Sequence, residues 1–357
     1  MPKVSRPEKR QPEVDKAFTL AGVAVATGFA SCAATGALIP FLRRRNVVDH
    51  PNERSSHSVP TPRGGGLALV GSVLLAWLTL AESGWVASGA VRISLGAVLL
   101  GLVSWIDDLR GVSPLLRLLA QGAVVALGIS VLPETQSLFG HWPGSAVQLS
   151  AIGLLWVWWV NLFNFMDGID GLAASEAAAI GVGILLFAVL DPGVGAISAL
   201  LSAALIGAAV GFLVWNWSPA RVFLGDVGSA PLGYLLGFLL LDIALRGFWK
   251  IALILPLYFL ADATITLVRR LLRGERIWQA HREHYYQQAV RRGLDHAAIV
   301  KRVLAANVLL IGCGCAAENG WAAASFAAAT VIVAVLLTVL GRGSGGLRQV
   351  PTHPGMV

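Results

Sequence analysis

Leu149-Ser-Ala-Ile-Gly-Leu-Leu-Trp-Val-Trp-Trp-Val-Asn-Leu-Phe-Asn-Phe-Met-Asp-Gly-Ile-Asp-Gly-Leu172 sets how the whole chain is read. It begins as the apolar run Leu149–Val160. It ends in two amides and two carboxylates, Asn161, Asn164, Asp167 and Asp170, each three residues from the next. Residues three apart are neighbours on a helix. The four groups therefore predict a polar ladder that turns slowly, because a step of three falls short of a full turn. A carboxylate beside hydrocarbon is costly, so an acid at the edge of a membrane span marks a functional site by default.

The rest of the chain supports a membrane setting. Of 357 residues, 56% are hydrophobic and only 13% charged, with 40 glycines; the mean hydropathy is +0.70. A soluble domain carries about 25% charged residues. About eleven apolar segments recur, near 17–42, 66–81, 90–106, 114–132, 149–166, 173–190, 193–215, 228–245, 249–268, 299–317 and 321–340. Most match the roughly 17–25 residues of a spanning helix, and lipid forces backbone polar groups to be satisfied within the segment. The expected fold is all-α: a polytopic integral membrane protein with about eleven transmembrane helices over residues 17–340. Residues 1–16 are expected to be an N-terminal tail and 341–357 a disordered Gly/Pro-rich tail. The first run is too long for a signal-peptide core and is expected to remain as a first span. Cys32, Cys313 and Cys315 fall inside apolar runs, with no disulfide framework or zinc spacing.

The net charge of +7 is unevenly placed. The first connection holds Arg43, Arg44, Arg45, Arg54 and Arg63, and the ninth holds Arg269, Arg270, Arg273, Arg276, Arg282, Arg291 and Arg292. The even connections are short or poor in basic residues. The positive-inside rule puts the odd connections in the cytoplasm, with the N-terminus outside and the C-terminus inside. Lys3, Arg6, Lys9, Arg10 and Lys16 of the tail pull the other way, but five odd connections agree against one tail.

Every acid cluster falls on that same expected face. Asp107-Asp108 ends the third span, Asp167 and Asp170 end the fifth, and Asp226 lies in the seventh connection. One such Asp is commonly a solvated helix end or a cap. Five together suggest a divalent cation and a phosphorylated substrate, because magnesium bridges one or two carboxylates to phosphate oxygens. Gly64-Gly65-Gly66, Gly168, Gly171, Gly225 and Gly228 permit tight turns whose N–H groups can hold phosphate; glycine also serves helix packing alone. His281-Arg282-Glu283-His284 has too few ligands for zinc. It is either a phosphate grip or a solvated basic loop against anionic lipid. Arg54, His57 and Arg63 either meet an anionic substrate or belong to a structured connector. No nucleic-acid partner is expected.

Five ordered motifs resemble the polyprenyl-phosphate N-acetylhexosamine-1-phosphate transferases (glycosyltransferase family 4). They are Pro62-Arg-Gly-Gly-Gly66, Asp107-Asp108, Asn161-x-x-Asn164-x-x-Asp167-Gly-Ile-Asp-Gly171, Phe223-x-Gly-Asp-x-Gly-Ser229 and His281-Arg-Glu-His284. That family also contains the phospho-N-acetylmuramoyl-pentapeptide transferases. The resemblance implies transfer of a sugar 1-phosphate from a UDP-N-acetylamino sugar to undecaprenyl phosphate, with release of UMP and a need for Mg²⁺ or Mn²⁺. It also implies a bacterial cytoplasmic membrane with the site on its inner face. The form His-Arg-x-His-x-Tyr at 281–286 resembles the branch that initiates O-antigen with UDP-N-acetylglucosamine, UDP-N-acetylfucosamine or UDP-N-acetylquinovosamine, so the sugar stays open. A homodimer is left open as well.

The residue roles implied by the resemblance are these. Asp107 or Asp108 deprotonates or orients the lipid phosphate, which attacks the β-phosphorus directly; attack by an aspartate first is the competing path. Asp226, Asp167 and Asp170 serve the metal. Asn161, Asn164, Arg63, Gly65, His281, Arg282 and His284 bind the substrates. A transporter of an anionic substrate and another lipid-phosphate transferase are the rival classes. A transporter is expected to place charges near the midplane on broken helices in repeated halves, whereas these acids cluster at one edge.

Overall fold

The computed structural model describes residues 13–51, 59–132, 145–276 and 281–342. Thirteen α-helices account for nearly all of this: α1 (Glu13–Arg44), α2 (Gly66–Glu82), α3 (Gly89–Arg110), α4 (Pro114–Ile129), α5 (Ser145–Phe165), α6 (Leu172–Leu190) and α7 (Ala196–Asn216), then α8 (Asp226–Ile243), α9 (Trp249–Ile254), α10 (Leu257–Leu272), α11 (Tyr285–Arg291), α12 (His296–Ala316) and α13 (Ala322–Gly341). Seven helical stretches are long and apolar enough to cross a membrane by length and composition, and α2 and α4 are shorter apolar helices. The all-α expectation holds, and each apolar run of the sequence coincides with a helix to within a few residues. The run 249–268 is divided into α9 and α10 at Leu255-Pro256, where proline cannot donate to the helical ladder. Residues 1–12 and 343–357 of the two expected tails, and Arg54 and His57, lie outside the described residues; Glu13–Lys16 are helical.

The α8 stretch is the axis of the bundle: 94% of its most apolar window is buried, against 11% for α1. It can be central because its own glycines admit neighbours. Indoles of α5 lie against it, with Trp159 donating to the Gly233 carbonyl at 2.9 Å and Trp156 to the Tyr234 carbonyl at 3.1 Å. The Trp156 and Tyr234 rings stack at 4.8 Å. Chain reversals fall at Gly247 and Gly320, with φ of 100° and 94°, a region that favours glycine.

On the outside, α1 packs on α7 at backbone distance. A Cβ on Gly207 would lie 2.0 Å from the Ala24 carbonyl oxygen, and one on Gly211 would lie 2.1 Å from that of Gly28. Ser31 donates to the Ala208 carbonyl at 2.7 Å across the same seam. Small residues let membrane helices approach this closely.

Two short strands, β1 (Val48–Asp49) and β2 (Thr61–Pro62), pair antiparallel in the first connection. Arg63 then bridges Phe223 in parallel. Neither these strands nor α11 is signalled by hydropathy, because each is too short to carry a period. Gly211→Ala should lower the thermal midpoint of the purified protein, at an overpacking cost of about 1–3 kcal/mol. Gly122→Ala, where a Cβ meets nothing within 4 Å, should leave it unchanged or raise it.

Candidate active site

The strand pair delivers Arg63 to the start of α8. Phe223 N–H donates to the Pro62 carbonyl at 2.8 Å, Gly65 N–H to that of Phe223 at 2.8 Å, and Gly66 N–H to that of Leu224 at 2.9 Å. Gly64 N–H also goes to Phe223, at 3.2 Å. These N–H groups are therefore spent inside the fold. Of the two readings of this glycine run, Gly65 included, the packing one has a visible counterpart: a Cβ on Gly66 would sit 2.2 Å from Gly228 Cα.

Arg63 Nη2 lies 2.9 Å from Asp108 Oδ1 and 2.8 Å from Asp226 Oδ1. Its stem crosses Gly225, at φ +74°, where a Cβ would stand 3.1 Å from Arg63 Cγ. Burial disfavours the guanidinium charge. The carboxylates of Asp226, Asp108, Asp49 and Asp167 more than offset this and hold the Arg63 pKa above its ordinary value. One cation thus joins the end of α3, the start of α2 and the start of α8.

The Asp pair divides its work. Asp107 accepts from Val112 N–H at 2.6 Å and from Arg117 at 2.8 Å. It fixes the turn from α3 into α4, and only Asp108 contacts Arg63. The polar ladder is also shorter than expected. Helix α5 stops at Phe165, so Asp167 and Asp170 lie in the turn before α6 and do not end the span; the glycines at 168 and 171 break the helical continuation. Asn161 faces α4, its amide donating to Gln121 Oε1 at 2.6 Å and to Val157 O at 2.8 Å. Asn164 accepts from Ser229 of α8, next to Asp226.

Asp167 is half-buried, and burial, reinforced by the nearby Asp226 charge, pushes its pKa up to about 7 against the pull of Arg63. Asp170 behaves oppositely. Burial alone would raise it, but the hydrogen bond and charge of His296, with donors from Ala220 and Ser218, hold it below the usual carboxylate range. Its Oδ2 accepts from Ala220 N–H at 3.1 Å and lies 3.2 Å from His296 Nδ1. Asp170 braces the turn against α12 and the α7–α8 connection through Oδ2.

The ninth connection folds around a residue that the sequence motifs did not single out. Asp262 of α10 is fully buried. It accepts from Tyr285 N–H at 2.9 Å, Tyr286 N–H at 3.4 Å and Tyr258 Oη at 3.2 Å, and it lies 3.3 Å from His284 Nδ1. His284 is thereby buried at the head of α11. The cost of an acid inside an apolar run was the available signal at Asp262. Tyr286 Oη donates to the Phe165 carbonyl at 2.9 Å, and a Cβ on Gly168 would collide with that hydroxyl at 2.2 Å. Helix α11 is therefore docked beneath the Asp167 turn. His281 is half-buried, with its ring centroid 4.9 Å from that of His284. Burial, with His284 and Arg270 adding, lowers its pKa to about 4. Arg282 is half-buried between them. Glu283 pairs with Arg273 and Arg270.

Among the described residues, no three His, Cys, Asp or Glu side chains are gathered as a metal cage. Magnesium takes one or two carboxylates and completes its shell with water and substrate phosphate. Asp226 and Asp167 are all-oxygen donors beside an open edge, and they fit.

A sequence model described as glycosyl transferase family 4 matches residues 90–244. The decaprenyl-phosphate N-acetylglucosaminephosphotransferase of Mycobacterium tuberculosis (strain ATCC 25618 / H37Rv) is 30% identical over 302 residues, covering 75% of this chain and 74% of that protein. A probable undecaprenyl-phosphate N-acetylglucosaminyl 1-phosphate transferase of Bacillus subtilis (strain 168) is 28% identical, covering 72% and 75%. The phospho-N-acetylmuramoyl-pentapeptide-transferase of Mycobacterium avium (strain 104) is 29% identical, covering 81% and 94%. A multi-helix bundle with acids at one end and these relatives define a membrane phosphosugar transferase. The chain belongs to glycosyl transferase family 4, the polyprenyl-phosphate N-acetylhexosamine-1-phosphate transferases.

Asp262→Ala should leave the α11 N–H groups and His284 without their acceptor, at about 1–3 kcal/mol for each buried orphan. Limited proteolysis should then cut the ninth connection faster than in the wild type. For His281 the sign is fixed by its lowered pKa. The unfolded chain binds a proton near 6.5 and the folded one only near 4, so its contribution to stability is present above about pH 6.5 and falls as pH drops toward 4. Imidazole NMR of the folded protein should place its midpoint near 4, not near 6.5.

Proposed function

We propose that this protein transfers an N-acetylamino-sugar 1-phosphate from a UDP-sugar to undecaprenyl phosphate, releasing UMP. The observation that carries this is the meeting of Asp108, at the end of α3, and Asp226, at the start of α8, on Arg63, with the charge of Asp167 from the turn before α6 acting on the same guanidinium. A water-soluble nucleotide and a lipid phosphate can meet only at such an edge. A charge path through the midplane, as a transporter needs, is not what these residues form.

Asp108 is the member of the Asp pair that faces the cluster. In this scheme it orients the lipid phosphate and accepts its remaining proton. A lipid phosphate oxygen forms the new bond to the β-phosphorus, and the bond from that phosphorus to the bridging oxygen breaks, leaving UMP. Asp226 and Asp167 would hold Mg²⁺ or Mn²⁺, whose contribution when bound is to neutralise charge on the pyrophosphate. Asn164 and Ser229 fix the Asp226 turn. Arg63 supplies a guanidinium for phosphate oxygens, and His281, Arg282 and His284 lie on the connection docked against the Asp167 turn and would serve the sugar end. The eleven apolar runs are taken as eleven crossings of a bacterial cytoplasmic membrane, with the odd connections inside. The product is the lipid-linked first sugar of a cell-surface polysaccharide.

Purified protein with undecaprenyl phosphate, Mg²⁺ and, in turn, UDP-N-acetylglucosamine, UDP-N-acetylfucosamine and UDP-N-acetylquinovosamine should release UMP with at least one sugar. No UMP from any of the three would sink the proposal. Asp226→Asn and Asp108→Asn should each cut the rate by about a hundredfold or more, while Asp107→Asn should act mainly through lowered stability. A phosphoaspartyl enzyme trapped without lipid would replace direct displacement with the covalent path.

A further inference from the structure

We propose that Arg63 occupies the cation position of the free enzyme and is handed over from carboxylate to phosphate when a divalent cation and the nucleotide arrive. This rests on the proposal that Asp226 takes that cation. One nitrogen, Arg63 Nη2, contacts Asp108 and Asp226 together, at 2.9 Å and 2.8 Å. That is the place between two carboxylates where a small cation gains most from both. The two occupants exclude one another: a guanidinium and a metal ion cannot both sit against Asp226 Oδ1 without direct repulsion.

The surroundings are built for movement of the side chain and not of the loop. The backbone on either side of Arg63 is pinned, by its own N–H to the Val47 carbonyl at 3.1 Å and by the Gly64, Gly65 and Gly66 donors to the α8 entrance. The side chain is 38% exposed, whereas Asp108 is 15% exposed. Its stem slides over Gly225, where any Cβ would crowd it. The guanidinium can therefore swing outward while its anchor stays fixed. Outward lies the edge at which a pyrophosphate would sit, and arginine offers that group a forked set of donors. Arg63 thus lowers the affinity of the empty site for metal and raises its affinity for metal and nucleotide together. Linkage makes the effect reciprocal.

The test reads metal binding, not turnover. Mn²⁺ affinity of the full chain in detergent is measured by electron paramagnetic resonance without nucleotide. Arg63→Gln should bind Mn²⁺ about fivefold tighter or more, yet bind UDP more weakly than the wild type at saturating Mn²⁺. Equal or weaker Mn²⁺ binding in Arg63→Gln overturns the proposal. Asp226→Asn separates the two levels. If it binds Mn²⁺ as the wild type does, the cation site assigned to Asp226 fails, and the hand-over falls with it. A second measurement needs no variant: Mn²⁺ should accelerate modification of Arg63 by phenylglyoxal, read by mass spectrometry. An unchanged or slower rate counts against displacement.

Discussion

Gly66 and Gly228 touch backbone to backbone. A Cβ on the first would lie 2.2 Å from the second's Cα, and the reverse contact would be 2.5 Å. No other residue pair permits that distance, and everything at this end of the bundle is set by it. It brings the entrance of α2 against the entrance of α8. The first connection can then add its strand to Phe223 and lay Arg63 along Gly225. Helices α3 and α8 also pack on one another directly, but without this contact Arg63 would not be laid between Asp108 and Asp226.

Around that contact the charges are unequal in kind. Asp107 and Asp170 are saturated by donors and hold turns in place. Asp108, Asp226 and Asp167 share one arginine, and Asp167 is left close to neutrality by burial and by its neighbour's charge. The first two hold turns in place, and Asp108 and Asp226 are bridged by Arg63.

Hydropathy made the helices legible: the apolar runs of the sequence recur as helices because length and composition alone decide what lipid accepts. The motif acids were legible too, since a carboxylate next to an apolar run stands out. What each acid does was not. Asp107 and Asp108 are adjacent letters, but successive positions on a helix point about 100° apart, so one turns to Arg117 and the other to Arg63. The amides at 161 and 164 looked alike, yet the offset of about 60° left by a step of three aims one at Gln121 of α4 and the other at Ser229 of α8. Asp262 escaped because it is the one acid in its run, and its partners at the head of α11 lie 22 to 24 positions away. The glycines before α2 were ambiguous between phosphate cradle and packing, and the packing is visible only with the partner chain segment, Phe223-Leu224, in place.

The last helix is tied to the ninth connection. Arg292 donates to the Leu340 carbonyl at 2.8 Å, and Tyr285 lies against Gly341, where a Cβ would be 3.2 Å from its ring. Helix α11, and with it His284 and the Tyr286 prop under Phe165, is thus clamped by the final described turn of the bundle. The order of synthesis acquires a meaning from this. Asp108, Asp167 and Asp226 emerge from the ribosome early and can assemble as each helix inserts, but α11, docked against the Asp167 turn, is not held until α13 is in place. A chain that lacks α13 carries the acids without the clamp on α11.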